Sequence, residues 1–322
     1  MIKYIFRRLL GSFFVLLSVV LFSFILIRTA PGGPFDQATR VIPAQMAGEL
    51  ERKFGLDEPI YEQVLIYLGN LVRGDLGPLY NRQTQSVSEV IAQALPVTLQ
   101  LGALAILMGF AVGIPVGTLA ATRYNTAVDH TATLSLLLGL SIPNMVLGPM
   151  LILIFGVHLN LLPFAAWGAR PPFFLGVFPR LSADFFTHAI LPTVTLGTAF
   201  SASVARLTRA SLLEVLSKDY IRTARAKGLT ERGVVVRHAL RNSLIPIVSM
   251  SGRYVVNVLT GAFIVEHIFG INGLARHIVE SVRGGEYFLL TGCVLVISII
   301  LIITNLVVDV LYAYIDPRIR YQ

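Results

Sequence analysis

Charge is scarce in this sequence. Only 14% of its 322 residues are Asp, Glu, Lys or Arg, against about 25% in soluble domains. Hydrophobic residues make up 55%, and mean hydropathy is +0.73. That deficit of charge excludes an ordinary soluble domain. Cysteine is scarcer still: Cys293 stands alone in an apolar run, which excludes disulfides and cysteine-ligated metals. The six histidines are scattered without ligand spacing. No G-x-x-x-x-G-K-[ST] is present to cradle nucleotide phosphates, and H-E-x-x-H, G-x-S-x-G and D-x-D-x-D are missing too. Neither catalysis nor a resident cofactor or metal is expected. The net charge of +8 calls for no nucleic acid, because the excess cations sit in short segments beside apolar runs.

Six such runs organise the chain, about 20 residues being needed to cross a bilayer. Residues 9–27 follow Lys3, Arg7 and Arg8 and exceed the apolar core of a secretory signal, so they read as an uncleaved first span. Residues 29–95 carry five Arg/Lys and eight Asp/Glu and read as an extracytoplasmic segment. Within it Asp57 is the expected N-cap of a helix with Pro59 in its first turn, ended by Gly74. The second span, 95–121, repeats Gly109, Gly113 and Gly117 at a spacing that lets helices approach closely, and Pro115 predicts a kink. The third, 132–158, is interrupted at Pro143-Asn144 and Pro149; broken backbone is tolerated where it is buried or lines a cavity, which makes Asn144 a pathway candidate.

The chain returns outside over 159–186, where Trp167 is expected as an interface anchor. The fourth span, 190–205, is rich in hydroxyls: Thr193, Thr195, Thr198, Ser201 and Ser203. These predict either hydrogen bonds between helices or a wetted wall, and Thr198 and Ser201 join the pathway candidates. The fifth span, 244–265, holds Arg253 near its middle; an intramembrane arginine lines water, pairs within the bundle or snorkels to the surface. The sixth is 288–311. The expected fold is thus all-α and membrane-integral, with divisions at 1–28, 29–95 and 96–322.

The longest polar island of the C-terminal half runs from Glu214 to Arg241. From Lys218 on it sets Lys218, Arg222, Arg225, Lys227, Arg232, Arg237 and Arg241 against Asp219 and Glu231 alone. So basic a loop between spans four and five belongs on the cytoplasmic side. Tyr220 to Lys227 lacks Gly and Pro and reads as a short helix, which Gly228 ends with φ > 0.

This loop resembles the EAA loop of importer-type ABC permeases, where Glu-Ala-Ala is followed after three residues by Gly and after nine more by Ile-x-Leu-Pro. The aligned positions are Arg222-Thr223-Ala224, Gly228 and His238-Ala239-Leu240-Arg241. Ala224, Gly228 and Leu240 fit, whereas Arg222 and Arg241 depart from Glu and Pro. APGGPFD at 30–36, FGLDEP at 54–59, Gln63, Tyr67 and GDLG at 74–77 are similar to the N-terminal signature of the peptide and nickel branch. Gly261, Val265, Glu266, Ile268, Phe269 and Gly273 match a further pattern, with Asn272 where Pro is usual. The tail DVLYAYIDPRIRY (309–321) is again family-like.

The resemblance implies a permease subunit in the bacterial cytoplasmic membrane, both termini inside. Its coupling helix would dock on an ATPase subunit through Tyr220, Arg222, Thr223, Ala224, Lys227, Gly228, Leu229 and Leu240. Implied partners are a second homologous permease subunit, two ATP-binding subunits that hold ATP and Mg, an extracytoplasmic solute-binding protein and the bilayer. Di- and oligopeptides are the implied cargo, with nickel or another small solute as the alternative within the branch. A self-sufficient secondary transporter is disfavoured, because Glu266 and Asp309 lie at span ends and no internal repeat is visible. The topology has a direct test in a Cys293→Ser background. An impermeant thiol reagent applied outside labels a cysteine placed at Gln83 and spares one at Thr230; the reverse overturns the orientation.

Overall fold

Apolar runs without charge leave helix as the way to satisfy backbone N–H and C=O groups away from water. A computed structural model describes residues 2–29, 58–77, 79 and 85–315. In chain order the helices are α1 (Ile2–Thr29), α2 (Ile60–Val72), α3 (Val87–Thr122), α4 (Ala127–Ser141) and α5 (Asn144–Leu151, continued by π-helical Ile152–His158). Then follow α6 (Ala183–Leu216), α7 (Asp219–Ala226), α8 (Leu240–Ile268), α9 (Leu274–Gly284) and α10 (Tyr287–Ile315). A turn at Glu231–Gly233 and a π-helical stretch at Val234–Ala239 lead into α8. The fold is all-α, as expected.

Helices α3 and α6 and residues Tyr287–Val307 are long and apolar enough to cross a membrane. Helices α4 and α5 together make a fourth such segment, bent by 105° at Ile142–Pro143. The interruption read from Pro143-Asn144 is therefore real. Helices α1 and α8, of 28 and 29 residues, stand where the first and fifth spans are expected. At 1.5 Å per residue each is ~42 Å long.

The described residues divide into two compact units, one from residues up to Thr98 with Asn272–Leu306, the other from Leu99–Ile271. In the first, Val20, Phe24, Tyr67, Val87, Leu274, Phe288 and Cys293 form the core. Tyr67 sits between Phe24 and Phe288, with ring centroids 5.7 and 6.2 Å away, and burial pushes its phenol up to about 12. Helix α2 starts after Pro59 and stops at Gly74, whose φ is +79°. The Asp57 cap lies outside the described residues. Asn272, in place of the usual Pro, accepts a 2.7 Å bond from Arg276 Nη1, so this turn is pinned by a side chain instead.

In the second unit the glycine stripe is the contact between α3 and α6. A Cβ at Gly113 would lie 2.7 Å from both the Ser201 carbonyl oxygen and Val204; at Gly109 it would enter the Phe200 ring, and at Gly117 the Ala205 carbonyl. Helix α3 runs unbroken through Pro115. Four of the five hydroxyls singled out on α6 turn back on their own helix: Thr195, Thr198, Ser201 and Ser203 donate to the carbonyls of Leu191, Val194, Gly197 and Ala199, whereas Thr193 Oγ1 is buried with no hydrogen-bond partner among the described residues. Away from water the acceptor four residues back is the nearest available.

Trp167 corrects the sequence reading. It is 4% exposed rather than an interface anchor. Its indole N–H donates to Gln100 Oε1 at 2.7 Å, and Phe185 meets the ring edge-on at 5.5 Å. With its one donor satisfied inside the protein, the ring gains nothing from a wet boundary. The same Gln100 donates through Nε2 to the Val177 carbonyl.

Because Gly117 faces backbone, its substitution cannot be absorbed by a rotamer change. Gly117→Val is expected to cost at least ~1–3 kcal/mol through overpacking. Gly69, exposed in α2 with nothing near its Cβ position, gives the opposite sign: Gly69→Ala gains ~0.4–1 kcal/mol. Thermal unfolding of the purified chain in detergent reads both.

Candidate coupling surface

Ser217 ends α6 and Lys218 leads into α7, whose eight residues put Asp219 in the first turn and Arg225 in the last. Both charges suit the helix dipole. Apolar Ile221 and Ala224, spaced three apart, share one face and are buried. They pack with Ala121 at the end of α3, Leu212 of α6, and Val234, Val235 and Ala239 of the π-helical lead-in. A fully buried aliphatic side chain is worth about 1.5–3 kcal/mol, so this platform fixes which way α7 faces.

Tyr220, Arg222, Thr223, Arg225 and Lys227 are exposed. Gly228 closes the helix with φ +79° and has open space around it, so its requirement is conformational. Leu229 follows, 44% exposed. Thr230 then caps the next turn by accepting from the Gly233 N–H at 3.3 Å. Arg225 ties the two turns together, donating from Nη2 and Nε to Glu231 at 2.7 and 3.1 Å. Tyr220 Oη accepts from Asn242 Nδ2 of α8 at 2.9 Å.

The structure therefore gathers Tyr220, Arg222, Thr223, Lys227, Gly228 and Leu229 on one outward surface and separates two others from it. Ala224, expected on the docking face, is 7% exposed and points into the platform, because its i−3 spacing from Ile221 puts it on the inner stripe. Leu240 is half-buried at the start of α8.

Of the pathway candidates, Asn144 opens α5 immediately after the 105° bend, half-buried. Its Nδ2 lies 3.6 Å from where a Cβ on Gly261 of α8 would stand. Thr198 packs its methyl toward Gly139 of α4. Ser201 is 6% exposed against α3. The Arg253 side chain lies outside the described residues.

Sequence reasoning missed a pair on this same end of the molecule. Asp129, in the first turn of α4, is 2% exposed and binds Arg209 of α6 through two hydrogen bonds, 2.6 and 2.8 Å. The available signal was isolation: Asp129 is the one acidic residue between Glu89 and Asp184. A carboxylate alone in so apolar a stretch needs a partner.

Residues 113–321 match the family described as the inner-membrane component of binding-protein-dependent transport systems, and residues 1–102 match the family of its N-terminal part. The chain belongs to this family. Its relatives include the oligopeptide transport system permease protein OppB of Haemophilus influenzae and that of Escherichia coli, each 37% identical over 100% of both chains. The dipeptide transport system permease protein DppB of Bacillus subtilis is 36% identical over 99% of this chain and 98% of its own. Among solved structures, an inward-facing form of the MetNI methionine ABC transporter superposes with a TM-score of 0.54 at 17% identity, over 68% of this chain and 93% of that one. That likeness is one of fold.

The Arg225–Glu231 link gives this candidate surface a pH signature. Hydrogen bonds from Arg225 hold the Glu231 carboxyl below its ordinary 4.5. A depressed folded value means stability present above pH 4.5 and lost as pH falls through that lowered value. Both partners are largely exposed, so the effect is ~0.2–1 kcal/mol. Glu231→Gln should lower the unfolding temperature slightly at pH 7, and the gap to the parent chain should start to narrow near pH 4.5 and close as pH falls through the lowered value.

Proposed function

We propose that this chain is one permease subunit of an ATP-driven peptide importer, through which di- and oligopeptides cross the bacterial inner membrane. The observation that carries this reading is full-length identity of 36–37% to oligopeptide and dipeptide permeases. The sequence has no phosphate-binding loop, so ATP and Mg are held by two separate ATP-binding subunits. A second, homologous permease subunit completes the pore, and a solute-binding protein delivers cargo from outside.

In this reading α7 is the coupling helix and faces the cytoplasm, with both termini on that side. The basic balance of residues 218–241 supports that orientation. Tyr220, Arg222, Thr223, Lys227 and Leu229 form the contact with the ATPase subunit, Gly228 sets the turn that presents Leu229, and Ala224 and Leu240 support the helix from behind. The path for peptide passes the bend between α4 and α5, where Asn144 stands opposite Gly261. Arg253 of α8 and Thr198 of α6 belong to the helices beside it; Ser201 serves the α3–α6 contact.

Gly228→Val strains a left-handed residue, and Leu229→Glu places a charge in the apolar centre of the contact. Each should cut peptide uptake at least tenfold while the chain still reaches the membrane, and the ATP-binding subunits should no longer co-purify. Ala224→Glu should behave differently, burying a charge in the platform and lowering the amount of folded chain. Normal uptake by both Gly228→Val and Leu229→Glu would rule out this surface.

A further inference from the structure

One charged pair near the coupling helix differs from its neighbours. Lys218–Glu214, Arg222–Asp219 and Arg225–Glu231 are exposed on both partners. In Asp129–Arg209 the carboxylate side chain is 3% exposed and the guanidinium 27%. Arg209 Nε donates to Oδ1 and Nη2 to Oδ2, the planar two-bond geometry that fixes orientation as well as distance. The same Oδ2 accepts from the Asn125 N–H at 3.0 Å, where Asn125 takes φ +59°. The Tyr124 ring lies 5.6 Å from the guanidinium carbon. One arginine on α6 thus holds the whole turn between α3 and α4.

Arg209 is also one helical turn from the coupling platform. Leu212, three residues further along α6, is fully buried with Ile221 and Ala224 of α7 and with Ala121 at the end of α3. Two consecutive layers of α6 therefore grip the same neighbourhood, one through apolar contact and one through a directional ion pair. Apolar contact alone is non-directional and leaves room to slide. At the far end of α4 lies the bend at Ile142–Pro143, and Gly139 rests on Thr198 of α6 just before it.

We propose that Asp129 and Arg209 are positioning residues of the transport cycle. Their bidentate pair makes the α3–α4 turn, the end of α6 and the coupling helix shift as one body, so that displacement of α7 by the ATPase reaches α4 and the bend beside Asn144. The proposal rests on the reading of α7 as the coupling helix. It gives the pair a task that stability does not explain, since a buried ion pair is commonly no better than a well-packed apolar replacement.

The experiment uses the complete importer, with its ATP-binding and solute-binding proteins, in proteoliposomes. Arg209→Lys keeps the charge but loses the two-bond fork, and Asp129→Glu keeps the charge with one more methylene; both conserve folding better than Asp129→Asn. Each should assemble with the ATP-binding subunits as the parent does, yet peptide imported per ATP hydrolysed should fall at least fivefold. Stimulation of hydrolysis by the solute-binding protein should be blunted. The exchange Asp129→Arg with Arg209→Asp should recover at least half of the lost ratio. An unchanged ratio in Arg209→Lys and Asp129→Glu overturns the proposal, as does a loss of uptake that only tracks the amount of assembled complex. If Gly228→Val and Leu229→Glu still bind the ATP-binding subunits in the same preparation, the reading of α7 fails, and that result is separate from either.

Discussion

The second unit depends on how closely α3 and α6 approach. Gly109, Gly113 and Gly117 remove three side chains from the line of contact, so the backbone of α6 at Ser201 and Ala205 rests against α3 without a layer of side chains between them. In a bilayer this matters more than in water, because lipid tails are as apolar as leucine and no hydrophobic force holds helices together. Dispersion across a tight interface has to supply the cohesion, and it decays steeply with any gap. The intrahelical hydroxyl bonds of α6 belong to the same design: a hydroxyl satisfied within its own helix presents a small, closed surface to its neighbour.

From that contact the placement of α7 follows in order. The last turn of α3 brings Ala121 beside Leu212, these receive Ile221 and Ala224, and α7 is left with one outward face. The exposed residues of that face owe their position to the buried ones behind them. Asp129 and Arg209 add a polar constraint to an otherwise apolar assembly. Removing one member of a buried pair typically costs about 3–5 kcal/mol, comparable with much of the ~5–15 kcal/mol that holds a domain folded.

How far the sequence could be read depended on the range of the cause. Gly228 was legible because a positive φ is demanded by the two residues on either side of it. The broken third span was legible because Pro143 breaks backbone bonding where it stands. The close face of α3 was visible in a period of four. Trp167 was misread because its burial is decided by Gln100, 67 residues away in sequence. Asp129 and Arg209 lie 80 residues apart, and nothing near either names the other. Ala224 is a different lesson: its three-residue spacing from Ile221 was in plain view, but matching it to a docking motif obscured the simpler reading of a buried stripe.

Helix α6 is 34 residues long, ~51 Å at 1.5 Å per residue, whereas the hydrocarbon layer is only ~30 Å thick. Its apolar stretch ends before Arg206, so the eleven residues from Arg206 to Leu216 extend ~16 Å further. Helix α7 thus follows at the end of a long continuous helix, beyond its apolar stretch. A lever of that kind converts a small tilt of the buried portion into a larger sweep at its end, and the reverse holds for a push at the tip. Movements at α7 therefore correspond to finer adjustments where α6 packs against α3 and α4.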